Sequence, residues 1–163
     1  MINADTVEIY TDGACSGNPG KGGLGVVMKY KGQRKELAYG FKRTTNNRME
    51  LIAVIVALES LTKENLDVVV YSDSKYVVDS INLGWVYGWQ KKGFKDKANP
   101  DLWKRFLVIQ KKHRVKFVWV KGHASNAENN RCDELAVAAS KSQNVLVDEG
   151  YEMAQKIKNG MDL

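Results

Sequence analysis

The sequence predicts an α/β fold: a five-stranded sheet of mixed direction, three antiparallel strands followed by parallel ones, flanked by helices. Three observations carry that prediction. The chain opens on an alternating, β-rich run, "VEIYTD" (7–12), followed by two further β-rich runs joined across a short turn. Later comes a continuous apolar run, "LDVVVYSD" (66–73), of the kind shown by a central strand covered on both faces. Between and after the strands, apolar residues recur at helical spacing, which gives the order βββαβαβα.

Strand one ends at Asp12-Gly13, and the glycines that follow read as a turn. "TDGACSGNPGKGGLG" (11–25) holds six glycines, yet it is no phosphate cradle. A P-loop needs Gly, four residues, Gly-Lys and then Ser or Thr; here Cys15 stands at the first position and Gly22 at the last. A dinucleotide fingerprint should open a helix, whereas "VVMKYKGQRKELAYGF" continues as a hairpin. Strands two and three, "LGVVMKY" and "RKELAYGF", therefore complete an antiparallel meander.

Helix one follows in "TTNNRMELIAVIVALESL". Thr45 and Asn46 are N-cap candidates, Met49, Ile52, Ala53, Val56, Ala57 and Leu61 mark one face, and Glu50 falls in the first turn. Strand four ends at Asp73, and "SKYVVDSI" reads as helix. "GWVYGWQKKGFKDKANP" mixes aromatics with lysines before a helix restarts at Pro100-Asp101. "VKFVWV" is the fifth strand, and the polar loop "KGHASNAENN" leads into a last helix, "RCDELAVAAS". There is no internal repeat, linker or low-complexity segment.

A chain of 163 residues suits one domain. Cys15 and Cys132 have no metal-ligand spacing and no need to form a bridge, and no apolar run is long enough to span a bilayer. The expectation is a soluble cytoplasmic monomer with no membrane partner. Formal net charge is +6, but eleven Lys and Arg against two Asp in residues 84–121 put +9 there and leave −3 elsewhere. A basic block beside an acidic remainder fits a protein that holds a polyanion and does chemistry with carboxylates; an ordinary solvated lysine face has the same composition.

Four carboxylates hold positions of interest: Asp12 ending strand one, Glu50 opening helix one, Asp73 ending strand four and Asp133 on the last helix. Each also has an ordinary role, as turn residue, dipole partner, N-cap and solvated helix position. Together they mean more, because the carboxyl ends of neighbouring parallel strands face the crevice where α/β proteins bind ligands. Clustered carboxylates repel one another unless a cation pairs them, and an all-oxygen set suits Mg²⁺ or Mn²⁺. Two such ions would stabilise the attacking and leaving oxygens of a phosphoryl displacement.

Five motifs in order, "YTDGACSGNPGKGGLG", "TTNNRMEL", "YSDSKYV", "DLW" and "WVKGHASNAENNRCDELA", resemble type 1 ribonuclease H over about residues 5–151, with 152–163 as an extension of a single domain. The resemblance implies a ribonuclease H-like fold with a basic helical handle. It also implies endonucleolytic hydrolysis of the RNA strand of RNA/DNA hybrids, without sequence preference, leaving 5′-phosphate and 3′-hydroxyl ends. Asp12, Glu50, Asp73 and Asp133 would hold two Mg²⁺ ions, and His123 would protonate the leaving oxygen or shuttle product, where its other role is that of a solvated loop histidine.

The same resemblance places Gly13, Cys15, Asn18, Asn46 and Asn47 on the hybrid, with Arg43 and Thr45 near a DNA phosphate. Amide side chains and free backbone groups suit the 2′-hydroxyl, which donates and accepts. In the handle, Trp85 and Trp89 stand one turn apart, open to core packing or to contact with a sugar or base, while Lys91, Lys92, Lys95 and Lys97 supply phosphate attraction. Two positions depart from the family: Lys75 where Gln is frequent, and Asn130 where some relatives carry an acid. The competing readings are a non-catalytic hybrid-binding module, which would gain nothing from clustered negative charge, and an integrase-like DNA nuclease, against which the asparagine pair, the His123 loop and the handle weigh.

Overall fold

The computed structural model describes residues 2–122 and 126–160. Strands β1 (Thr6–Gly17), β2 (Gly20–Tyr30) and β3 (Gln33–Thr44) form the expected meander. The glycine stretch, however, is strand rather than turn: Asp12 pairs with Gly25 and Gly13 with Leu24, and the ladder runs on to Gly17 and Gly20. The reason lies on one face of the sheet, where helix α5 (Ala127–Ser140) packs. A Cβ at Gly23, Gly25 or Gly40 would collide with the carbonyl oxygen of Ala136, Cys132 or Ala139 respectively. These glycines serve a close backbone approach between sheet and helix.

Helix α1 (Asn46–Glu59) starts at Thr45, whose hydroxyl accepts from the Arg48 amide at 3.3 Å. Glu50 therefore lies one turn deeper than the first turn expected for it. The helix is also buried on more sides than its periodicity suggests, with Arg48 to Ile55 all covered. The sheet's Ile9, Leu24, Val26 and Val70 pack with Leu51, Ile55 and Leu58 in one core, which Trp103 and Phe106 of helix α4 (Pro100–Gln110) join. A helix enclosed by a sheet and other helices is apolar nearly all round.

Strand β4 (Asp67–Ser72) runs parallel to β1, and β5 (Arg114–Trp119) parallel to β4. Helices α2 (Lys75–Asn82), α3 (Trp85–Lys91) and α4 connect them. The sheet has six strands where five were expected, in the order β5-β4-β1-β2-β3-β6. The sixth, β6 (Val145–Leu146), pairs in parallel with Gly40 and Phe41 of β3 and is too short to leave a pattern in the sequence. Helix α6 (Glu149–Lys158) then closes the described chain, with acids in its first turn and lysines in its last.

A buried cation ties these parts together. Arg48 donates from Nε to Asp148 at 2.7 Å and from Nη2 to Asp101 at 2.7 Å, and the Thr44 hydroxyl donates to Asp148 at 2.6 Å. Beside Arg48, the Asp101 carboxyl is held below its ordinary range even though partial burial opposes this. Both described cysteines are free thiols. Among the described residues no helix is long and apolar enough to cross a membrane.

Candidate active site

The site begins with register. Thr11 of β1 sits opposite Ser72 of β4, so the next residues, Asp12 within β1 and Asp73 just past the end of β4, stand side by side. Glu50 comes to them from α1, which approaches β1 so closely that a Cβ at Gly13 would lie 2.6 Å from the Glu50 amide nitrogen. With no side chain in the way, the Gly13 N–H donates to Asp12 Oδ1 at 2.9 Å and also to Glu50 Oε1.

Asp12, Glu50 and Asp73 each place a carboxylate oxygen within 4.8 Å of the others. Asp133, on α5, stands outside this close group but lines the same cavity of about 480 Å³, as do Gly13, Asn46 and Asn47. Asp12 is 9% and Glu50 4% exposed. Burial first, then the Asp73 charge, push the Asp12 carboxyl up to about 7, against the hydrogen bonds it accepts. Burial and the charges of Asp12 and Asp73 raise Glu50 well above its ordinary range.

That is the electrostatic state of a cluster built to be paired with positive charge. Beside it is a recess, with room for about one water, lined by Asp12, Asp73, Lys121, Gly122, Asn129, Asn130 and Asp133. Asn129 on its wall has an Oδ1 atom that is buried without a hydrogen-bond donor among the described residues. Hard oxygen donors, crowded carboxylates without a cationic partner and an orphaned acceptor fit a hydrated divalent cation such as Mg²⁺ or Mn²⁺.

The other expected site residues are more dispersed. Asn18 Oδ1 accepts from the Asn46 amide at 3.1 Å, which ties the β1–β2 hairpin to the start of α1. Cys15 lies against the Thr44 carbonyl, with Sγ 3.5 Å from its oxygen. Arg43 is exposed and stacks over the Tyr151 ring of α6 at 5.8 Å, and Thr45 is the α1 cap. His123 lies outside the described residues.

In the handle the two tryptophans part ways. Trp89 turns inward, edge-on to Trp103 at 5.9 Å, with Lys97 over its other side at 5.3 Å. Trp85 is 48% exposed, and Lys91, Lys92 and Lys95 are all on the surface. Sequence reasoning did not place Ser74, Lys75 and Tyr76 on the cavity wall, nor Asn129 in its recess. Asn129 was within reach of pattern: once Asn126 is taken as the α5 cap, Asn129 and Asp133 stand four apart on one helix face.

Comparison with known proteins agrees with this geometry. The RNase H family model matches residues 4–141. A protein named Ribonuclease H from Desulforamulus reducens is 58% identical over 151 residues, covering 90% of this chain and 94% of its own. One of the same name from Shewanella amazonensis is 54% identical over 157 residues, covering 93% and 99%. Among solved structures, LC9-RNase H1, described as a type 1 RNase H with the type 2 active-site motif, superposes with TM-score 0.78 at 33% identity over 100% of this chain and 88% of that one. LC11-RNase H1 in complex with an RNA/DNA hybrid gives TM-score 0.59 at 30% identity over 82% and 95%.

Proposed function

The chain belongs to the ribonuclease H family, and from that premise we propose that it cuts the RNA strand of RNA/DNA hybrids internally and without sequence preference. Water supplies the new oxygen on phosphorus, the bond from phosphorus to the 3′-oxygen breaks, and the products are a 5′-phosphate and a 3′-hydroxyl end. The observation that carries this reading is the meeting of three carboxylate oxygens within 4.8 Å where β4 ends beside β1. A site that merely held a polyanion would be weakened by such a cluster.

Asp12, Glu50, Asp73 and Asp133 would hold two divalent cations, Mg²⁺ or Mn²⁺, supplying Lewis-acid stabilisation of the oxygens that attack and leave. The protein's own part is to hold these carboxylates close together, with the Gly13 amide shared between Asp12 and Glu50, against a burial that opposes their ionisation until cations pair them. His123 is assigned proton delivery to the departing 3′-oxygen or product exchange.

Gly13, Cys15, Asn18, Asn46 and Asn47 read the 2′-hydroxyl side of the hybrid, and Arg43 and Thr45 take a DNA phosphate. Trp85, Lys91, Lys92 and Lys95 hold the backbone from the handle, with Trp89 serving as the packed foot beneath them. The solved LC11 complex with a hybrid supports that substrate class. The working form is a single copy in the cytoplasm.

The test is cleavage of a uniform hybrid with labelled RNA, beside RNA/RNA and DNA/DNA duplexes, in Mg²⁺ and in EDTA, with wild type and Asp12→Asn. Metal-dependent cutting of the hybrid's RNA alone, lost in the variant, is the expected result. Binding without cutting, or cutting of duplex DNA, would overturn the proposal.

A further inference from the structure

One carboxylate of the cluster lies outside the strands and helices. Asp12 is held within β1 by its pairing with Gly25, Glu50 within α1 and Asp133 within α5. Asp73 falls between β4 and α2, past the last paired residues on both sides of β4, Thr11 with Ser72 and Ser72 with Trp119. Its carbonyl accepts instead from a side chain, the indole N–H of Trp119, at 3.1 Å.

Strand β5 is itself fixed at this point. The Val120 N–H donates to the Ser72 carbonyl at 2.9 Å, which locks the end of β5 beside the end of β4. Two residues on, Gly122 comes against the other end of Asp73: a Cβ there would lie 3.0 Å from Asp73 Oδ2. The exit of β5 thus meets Asp73 at its carbonyl and at its carboxylate. The Trp119 side chain is 42% exposed, so little core packing depends on it, and its one hydrogen-bonding group is the N–H aimed at Asp73.

Three carboxylate oxygens within 4.8 Å of one another repel until cations pair them. The residue with the fewest ties yields first. Asp12 and Glu50 are buried and share the Gly13 amide, whereas Asp73 is half-buried. A donor to the Asp73 carbonyl fixes the peptide from which the carboxylate projects, and so resists that displacement.

We infer that Trp119 is the positioning residue of Asp73: its indole N–H holds the Asp73 peptide so that the carboxylate stays in reach of a cation shared with Asp12 and Glu50. Trp119 acts through Asp73 and in this role touches neither cation nor hybrid. The inference rests on the reading of the cluster as the divalent-cation site of a hybrid-cutting enzyme.

The experiment titrates Mn²⁺ into the whole chain without nucleic acid and reads free Mn²⁺ by electron paramagnetic resonance. Trp119→Phe keeps a ring and loses the N–H; Trp119→Leu loses both. Each is expected to weaken Mn²⁺ binding about 3- to 10-fold, the scale of one hydrogen bond, with a urea midpoint close to that of wild type. The same factor should persist in the Asp133→Asn background, because that carboxylate is held by α5 and not by the indole. In hybrid cleavage both variants shift the metal midpoint upward by that factor, while kcat and KM at saturating metal stay within about twofold.

Native Mn²⁺ affinity in Trp119→Phe overturns the inference, as does impairment in Trp119→Leu alone, which would assign the effect to the ring. Weaker hybrid binding by Trp119→Phe in metal-free Asp12→Asn protein would make the indole a substrate contact and overturn it as well. Cleavage by wild type is run alongside. If wild type cuts and Trp119→Phe binds Mn²⁺ as tightly, only the inference on Trp119 falls. If wild type binds Mn²⁺ but does not cut, the proposed function falls, and the titration still decides on Trp119. If wild type takes up no Mn²⁺, the inference falls whatever the cleavage result.

Discussion

Asp12 and Glu50 accept hydrogen bonds from the same backbone amide, that of Gly13. One donor cannot satisfy two buried carboxylates, so the pair carries a standing electrostatic penalty that a bound cation relieves. Asp12→Asn removes one charge of that pair. It is expected to stabilise the metal-free protein at pH 8 by roughly 1–3 kcal/mol. The same change should lower RNA cleavage more than about 100-fold. Urea denaturation and the hybrid cleavage assay check the two halves.

Stability of the metal-free protein should depend on pH with an unusual sign. Asp12 moves from an ordinary 3.8 up to about 7 on folding, and Glu50 moves in the same direction. Between about pH 4 and pH 7 the folded state therefore binds more protons than the unfolded one, and stability declines as pH rises through that window. Denaturant midpoints in EDTA at pH 5 and pH 8 should differ, with the higher value at pH 5, and Mg²⁺ should restore most of the loss at pH 8. Midpoints that rise with pH in EDTA would refute this.

Gly25→Ala should cost about 2–3 kcal/mol, because its methyl meets the Cys132 carbonyl, a backbone atom that cannot rotate away. Relief requires α5 to lift, and Asp133 is the next residue. Cleavage should therefore fall by more than the fraction unfolded explains, which chemical denaturation and specific activity measured together will separate.

Arg48→Met should cost about 3–5 kcal/mol, since it leaves Asp148 buried without its cation. Asp148→Asn in the Arg48→Met background should recover part of that loss. Equilibrium unfolding of the two single variants and the double variant completes the cycle.

Neutralising Lys91, Lys92, Lys95 and Lys97 together should raise KM and flatten the salt dependence of hybrid binding, because these exposed lysines contribute charge without sequence preference. An unchanged slope across a KCl series would remove the handle from the interface.

Much of this was readable from residues alone, and the remainder was not for definite reasons. Asp73 could be located because it ends a strand recognisable by its apolar run and Glu50 because it follows an N-cap; Asp12 was found on an alternating run expected to end there, although β1 continues to Gly17. The glycine stretch misled: a string of glycines suggests a turn, whereas its cause is a helix more than a hundred residues later lying against the strand, which no local pattern reports. Strand β6 is two residues long and has no period to read. Trp85 and Trp89 looked equivalent because their difference depends on Trp103, a residue on another helix.

The packing of α5 on the glycine tracks also governs when the cavity comes into existence. Asp12, Glu50 and Asp73 are all made within the first 73 residues, but the wall that carries Asp133 belongs to a helix ending at Ser140. A chain leaving the ribosome at about 5–20 residues per second exposes its N-terminal strands well before that helix can reach them. Through that interval Tyr10 and Val27 lack the cover that Cys132 and its helix later provide. The growing polypeptide is thus a nuclease in parts only, and its cavity is complete once α5 has reached the sheet.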